Sequence, residues 1–95
     1  MKGDVGTKLI FENDRVKVWE LTLQPGQAVG EHTHQHDYLI LPIEASMVEV
    51  TRSGGRVEVS EYAGGSVIYR QKGETHDAKN VGTARYHQLI VELKG

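Results

Sequence analysis

Residues 26–34 read Gly26-Gln27-Ala28-Val29-Gly30-Glu31-His32-Thr33-His34, and a further histidine, His36, follows two positions on. Along a β-strand, side chains two residues apart point to the same face, roughly 7 Å apart. If this segment is a strand, His32 and His34 share one face while Glu31 and Thr33 take the other. A twisted strand lets such a pair converge on a single ion. A third ligand must then come from elsewhere, and His76 is the candidate. The competing reading is a polar loop in which three neighbouring histidines are merely solvated.

Outward from this segment the chain is strand-like throughout. No apolar stripe of helical period extends over ten residues; short alternating runs are separated by turn signals instead, the pattern of an all-β sandwich or barrel. Thr7–Phe11 precedes the turn pair Asn13-Asp14. Arg15–Leu23 places Trp19, Leu21 and Leu23 on one face before Pro25-Gly26 breaks it. Ala28–His34 and Tyr38–Ile43 read as the next two strands. Tyr38–Ile43 is apolar on both faces and is expected to be buried on both, in part through a subunit contact. Ser53-Gly54-Gly55 joins Met47–Arg52 to Arg56–Ser60 as a hairpin. Ser66–Arg70, Thr75–Asn80 and Arg85–Leu93 complete eight or nine strands in a single domain, residues 1–95. In the last strand His87 alternates in step with Leu89, Val91 and Leu93, which read as the core face. It is either a satisfied core histidine or one lining a pocket.

The spacing of the segments carries more than their strand character. Gly26-x5-His32-x-His34 is followed by Gly65-x5-Gln71-x-Gly73-x2-His76-x3-Asn80. These match the two sequence motifs of the cupin superfamily at Gly26, His32, His34, Gly65, Gly73, His76 and Asn80, with Gln71 where proline is usual. The chain therefore resembles a small single-domain cupin from about Trp19 to Leu93. The resemblance implies an all-β jelly-roll (double-stranded β-helix) barrel with a metal inside its mouth. It makes His32, His34 and His76 the metal ligands, Gly26 and Gly73 turn positions, and Asn80 an inward-pointing residue near the pocket.

One departure stands out. Cupins usually carry a glutamate ligand three or four residues after the second histidine, where this chain has Tyr38 and Leu39. Tyr38 itself, His36 from the preceding turn (with Asp37 beside it to orient the ring) and water are the conceivable substitutes. As a neutral phenol beside the ion, Tyr38 would donate a hydrogen bond to a bound oxygen. As a phenolate it would ligate, provided the metal lowers a pKa of about 10.

Composition narrows the function further. The chain has no cysteine, so disulfides, thiolate metal sites and a cysteine nucleophile are excluded. Imidazole and oxygen ligands favour one divalent transition metal, with Fe, Mn, Ni and Zn as the candidates. A net charge of −2 with no Lys/Arg cluster provides no footprint for nucleic acid. No apolar run is long enough to span a membrane, and Met1-Lys2-Gly3-Asp4 has no secretory apolar region, so a cytoplasmic protein is expected. Phosphate-loop, serine-nucleophile and dinucleotide signatures are absent. The leading expectation is a metal-dependent enzyme of dioxygenase, isomerase or lyase type acting on a small organic substrate, with Tyr38, His36 or His87 as proton-transfer residues, Tyr38 and His87 foremost among them. Arg85, on the His87 face, is either an anion contact or solvated surface. The alternatives are a non-catalytic ligand-binding or sensing cupin with a degenerate metal site, and a barrel used only for assembly. A homodimer paired through its sheets is expected.

Overall fold

Asn13 makes the first turn. Its Oδ1 accepts the N–H groups of both Arg15 and Val16 at 2.8 Å, reversing the chain between β1 (Lys8–Glu12) and β2 (Val16–Leu23). The computed structural model describes residues 5–95, and the reading of Met1–Asp4 lies outside them. Seven more strands follow: β3 (His32–Thr33), β4 (Asp37–Glu44), β5 (Ser46–Arg52), β6 (Val57–Tyr62), β7 (Ile68–Arg70), β8 (Thr75–Asn80) and β9 (Tyr86–Leu93). They form two antiparallel sheets, one of five strands in the order β1-β2-β9-β4-β7 and one of four in the order β3-β8-β5-β6. The described residues include no helix long and apolar enough to cross a membrane.

The core lies between the sheets. Trp19, Leu21 and Leu23 of β2, Tyr38 and Ile40 of β4, Val48 and Val50 of β5, and Tyr86 and Ile90 of β9 are buried there. Each such aliphatic side chain contributes roughly 1.5–3 kcal/mol relative to exposure. Asn80, fully buried at the end of β8, pins the sheets together. Its amide donates to the carbonyls of Leu23 and Ala84, and its Oδ1 accepts from the Ser46 hydroxyl and the Gly82 N–H. It thus serves as a structural clasp and is not among the residues lining the pocket.

Three expectations need correction. The strand drawn over Ala28–His34 shrinks to His32–Thr33 plus a single bridge from Ala28 to Lys79. The cause is Gly30, which adopts φ 99° and gives its N–H to the Asp77 carboxylate at 2.9 Å in place of a ladder partner. In β9 the inward face is Tyr86, Gln88, Ile90 and Glu92; His87, Leu89, Val91 and Leu93 face the other way and are half-buried. Alternation reveals two faces but not which is inside, and here the inner face carries two polar residues. Glu92 is buried because its carboxylate accepts the Trp19 indole N–H at 2.6 Å. Likewise β4 buries only its Tyr38, Ile40 and Pro42 face, leaving Leu39 and Leu41 half-buried and Ile43 exposed.

Candidate metal centre

The two histidine segments meet through the backbone before their side chains do. The His34 N–H donates to the Glu74 carbonyl at 3.0 Å, and the Gly73 N–H donates to the His34 carbonyl at 2.9 Å. Gly73 permits this with φ 96°, a left-handed conformation that side chains resist. Two register steps further, past the Thr33–Thr75 pair, His32 lies directly opposite His76 in the β3–β8 pair. Local geometry thus points three imidazoles inward from two short strands and one loop.

Their Nε2 atoms converge. Nε2 of His34 lies 3.1 Å from that of His32 and 3.1 Å from that of His76, and the three ligand atoms fall within 4.8 Å of one another. The His32 tautomer follows from its partner: Nδ1 faces the Gly30 carbonyl at 2.8 Å, and a carbonyl only accepts. The proton is therefore on Nδ1, and Nε2 presents a lone pair to the centre. Burial pushes all three rings toward the neutral form. It lowers the pKa of His32, takes His34 down to about 3 with help from the neighbouring His32 and His76, and takes His76 down to about 4 with help from His32 and Arg52. The Nδ1 atoms of His34 and His76 are buried and have no hydrogen-bond partner among the described residues. Neutral, lone-pair-bearing imidazoles converging in a buried pocket are the donor set a divalent transition metal takes, so the residues present fit such an ion.

Tyr38 closes one side of the cluster. Its ring stacks on His34 with centroids 3.8 Å apart and planes 10° from parallel, and its hydroxyl donates to Glu74 Oε1 at 3.1 Å. Burial pushes the phenol up to about 12, so it stands as a neutral hydroxyl. The same Glu74 oxygen lies 2.8 Å from Nδ1 of His76, close but out of line with the ring N–H, while its other oxygen meets the Arg52 guanidinium. Spacing did not single out Glu74, which occupies one of the two variable places between Gly73 and His76. Its significance depends on Tyr38 and Arg52 arriving from β4 and β5. Below the histidines the cavity is walled by Leu21, Ile40, Gln88 and Ile90 from one sheet and Val48, Val50 and Ala78 from the other.

Other candidates lie elsewhere. His87 is on the far face of β9, with Nε2 3.0 Å from a Glu20 carboxylate oxygen and Nδ1 3.8 Å from Glu44. The inward positions on either side of it belong to Tyr86 and Gln88, so it does not reach the cavity. Arg85 is exposed and paired with Glu44 at 2.9 Å. His36 borders a separate surface depression with Gln35, Asp37 and Lys72. Asp37 binds the Tyr69 hydroxyl at 2.8 Å and the Lys72 N–H at 2.9 Å, not the His36 ring.

Comparison with known proteins agrees with this architecture. The chain is 30% identical over 80 residues to the β-alanine degradation protein BauB of Pseudomonas aeruginosa, covering 83% of this chain and 79% of that protein. A cupin domain from Bordetella pertussis superposes with a TM-score of 0.84 at 26% identity, over 98% of this chain and all of that one. The chain belongs to the cupin superfamily. An RmlC-like cupin with a double-stranded β-helix fold from Methanocaldococcus jannaschii has the same fold at 16% identity, with a TM-score of 0.76 over 98% of this chain and 85% of that one. No sequence-family profile matches the chain. Cupins thus share the barrel, and this one carries a three-histidine cluster in its interior.

Proposed function

We propose that this cupin holds one divalent transition metal (Fe, Mn, Ni or Zn) through His32, His34 and His76 and acts as a metal-dependent enzyme on a small organic substrate. The observation that carries the reading is the convergence of three neutral imidazoles, one of them locked by Gly30 with its Nε2 lone pair toward the centre. Such an ion supplies Lewis acidity or a place for O₂. The chain's own residues hold the ring orientations, keep the surroundings apolar and present the neutral Tyr38 hydroxyl beside His34. A dioxygenase, isomerase or lyase fits this arrangement. The name of the Pseudomonas relative, a β-alanine degradation protein, directs the choice of trial substrates to small amino-acid catabolites.

A second reading, a ligand-binding or sensing cupin without turnover, draws on one observation. Three titratable side chains lining the cavity are held away from neutral pH, with His34 near 3, His76 near 4 and Tyr38 near 12. General acid–base catalysis works best with a pKa near the operating pH.

Elemental analysis of untagged protein, repeated on His34→Ala, tests the metal. About one equivalent of a transition metal in the wild type, lost in the variant, supports the site; no metal after reconstitution overturns it. Oxygen consumption or turnover of small amino and keto acids by the loaded protein then separates the two readings.

The working unit in this proposal is a cytoplasmic homodimer. Its support is an apolar row on the outer face of the five-stranded sheet, where Phe11, Val18, Val91, Leu39 and Tyr69 lie in register across all five strands.

A further inference from the structure

We infer that Glu74 is the positioning residue of the metal centre, a single carboxylate that sets the orientation of His76 and Tyr38 together. The inference rests on the reading that His32, His34 and His76 hold a metal.

Four connections meet at this residue. Its carbonyl accepts the His34 N–H at 3.0 Å, fixing the loop that carries His34. Its Oε1 accepts the Tyr38 hydroxyl at 3.1 Å and lies 2.8 Å from His76 Nδ1. Its Oε2 is held by Arg52, whose Nε also binds Glu58 at 2.7 Å, so the carboxylate is anchored from the four-stranded sheet.

The chemistry is that of a carboxylate behind a ligating imidazole. A carboxylate oxygen 2.8 Å from a ring nitrogen repels a lone pair there and favours a proton, so Nδ1 of His76 carries the hydrogen and Nε2 faces the cluster with its lone pair free. The contact is close but unaligned, so Glu74 acts on His76 through the nearness of its charge to Nδ1. The same oxygen keeps the Tyr38 hydroxyl turned to Glu74, which holds the phenol ring flat against His34. Glu74 therefore stands behind the ligands, in contrast to a glutamate ligand of the first histidine segment. The carboxylate missing from that segment returns to the site from the second one, in an outer position.

The test measures zinc affinity by chelator competition and the visible ligand-field spectrum of the cobalt(II)-loaded protein. The proteins compared are the wild type, Glu74→Ala, Glu74→Gln, Glu74→Asp and Tyr38→Phe. Glu74→Ala is expected to bind zinc about 10- to 100-fold more weakly at unchanged stoichiometry, the range for loss of a partner behind a ligating histidine. It is also expected to shift the cobalt bands. Glu74→Asp should recover part of both effects and Glu74→Gln should fall between. Tyr38→Phe, which loses the hydroxyl bond but leaves Glu74 beside His76, should leave zinc affinity closer to wild type than Glu74→Ala does. Zinc affinity and cobalt spectrum unchanged in both Glu74→Ala and Glu74→Gln, with the wild type binding one zinc, would overturn the role of Glu74 alone. A wild type that binds no zinc would overturn the three-histidine reading and this inference with it. If Glu74→Ala does not fold, the near-isosteric Glu74→Gln decides by the same two measurements.

Discussion

Neutral imidazole is the form that binds a metal, and in this protein burial enforces it. The linked stability has a definite sign. In the unfolded chain these histidines take up protons below about pH 6.5, whereas in the folded chain His34 does so near 3 and His76 near 4. Between those limits the unfolded state holds more protons, so metal-free protein loses stability as pH falls, by about 1.4 kcal/mol per pH unit for each ring kept neutral. Urea unfolding of the metal-free protein should therefore give a lower midpoint at pH 5 than at pH 7.5. A midpoint that is steady or higher would mean that the rings accept protons while folded. Substitution separates the histidines by place: His32→Ala and His76→Ala should each abolish most metal uptake, whereas His87→Ala, which loses only outer contacts with Glu20 and Glu44, should retain it. Metal lost from the His87 variant alone would reverse the assignment. At this scale His32, His34 and His76 were legible from spacing, because the cupin motifs record which residues meet. Glu74 was not, because its partners Tyr38 and Arg52 lie 36 and 22 residues away.

Strand ends and turns are where this barrel is most sensitive. Asn80 satisfies two carbonyls, one hydroxyl and one backbone N–H from the interior, and alanine there leaves all four without that partner. Asn80→Ala should destabilise by at least about 2 kcal/mol, measured by urea unfolding, since each buried unsatisfied group costs about 1–3 kcal/mol. A loss under about 0.5 kcal/mol would show that water or backbone shifts replace the clasp. Gly73 differs in kind. A Cβ there would touch nothing within 4 Å, so Gly73→Ala suffers only from φ 96°, about 1–2 kcal/mol. Because the Gly73 N–H binds the His34 carbonyl, the same change should also weaken metal binding, an effect that the elemental analysis described above would detect. Turn signals at Asn13, Gly54-Gly55 and Gly73 were readable because they act locally. The shortening of β3 was not, since it depends on Asp77 capturing the Gly30 N–H from another strand.

Across the whole molecule, the five-stranded sheet presents two kinds of surface on its outer side. The apolar row of Phe11, Val18, Val91, Leu39 and Tyr69 is bordered by the Glu20–Leu89–Leu41 row and then by the Glu44–Arg85 ion pair, with His87 beside it. An apolar centre with a charged rim is the anatomy of a protein–protein interface. Light scattering after size exclusion should give twice the chain mass for the wild type and one chain mass for Val91→Arg. A monomeric wild type at tens of micromolar would remove the dimer from the proposal. What the sequence by itself determined was the all-β class, the turn positions and the three histidines that converge, because period-two alternation and motif spacing are properties of neighbouring residues. Which face of β9 turns inward, the clasp at Asn80 and the junction of Tyr38, Arg52 and His76 on Glu74 were decided only by tertiary structure. Alternation is symmetric between inside and outside, and a buried polar group is stable only where distant strands bring it partners.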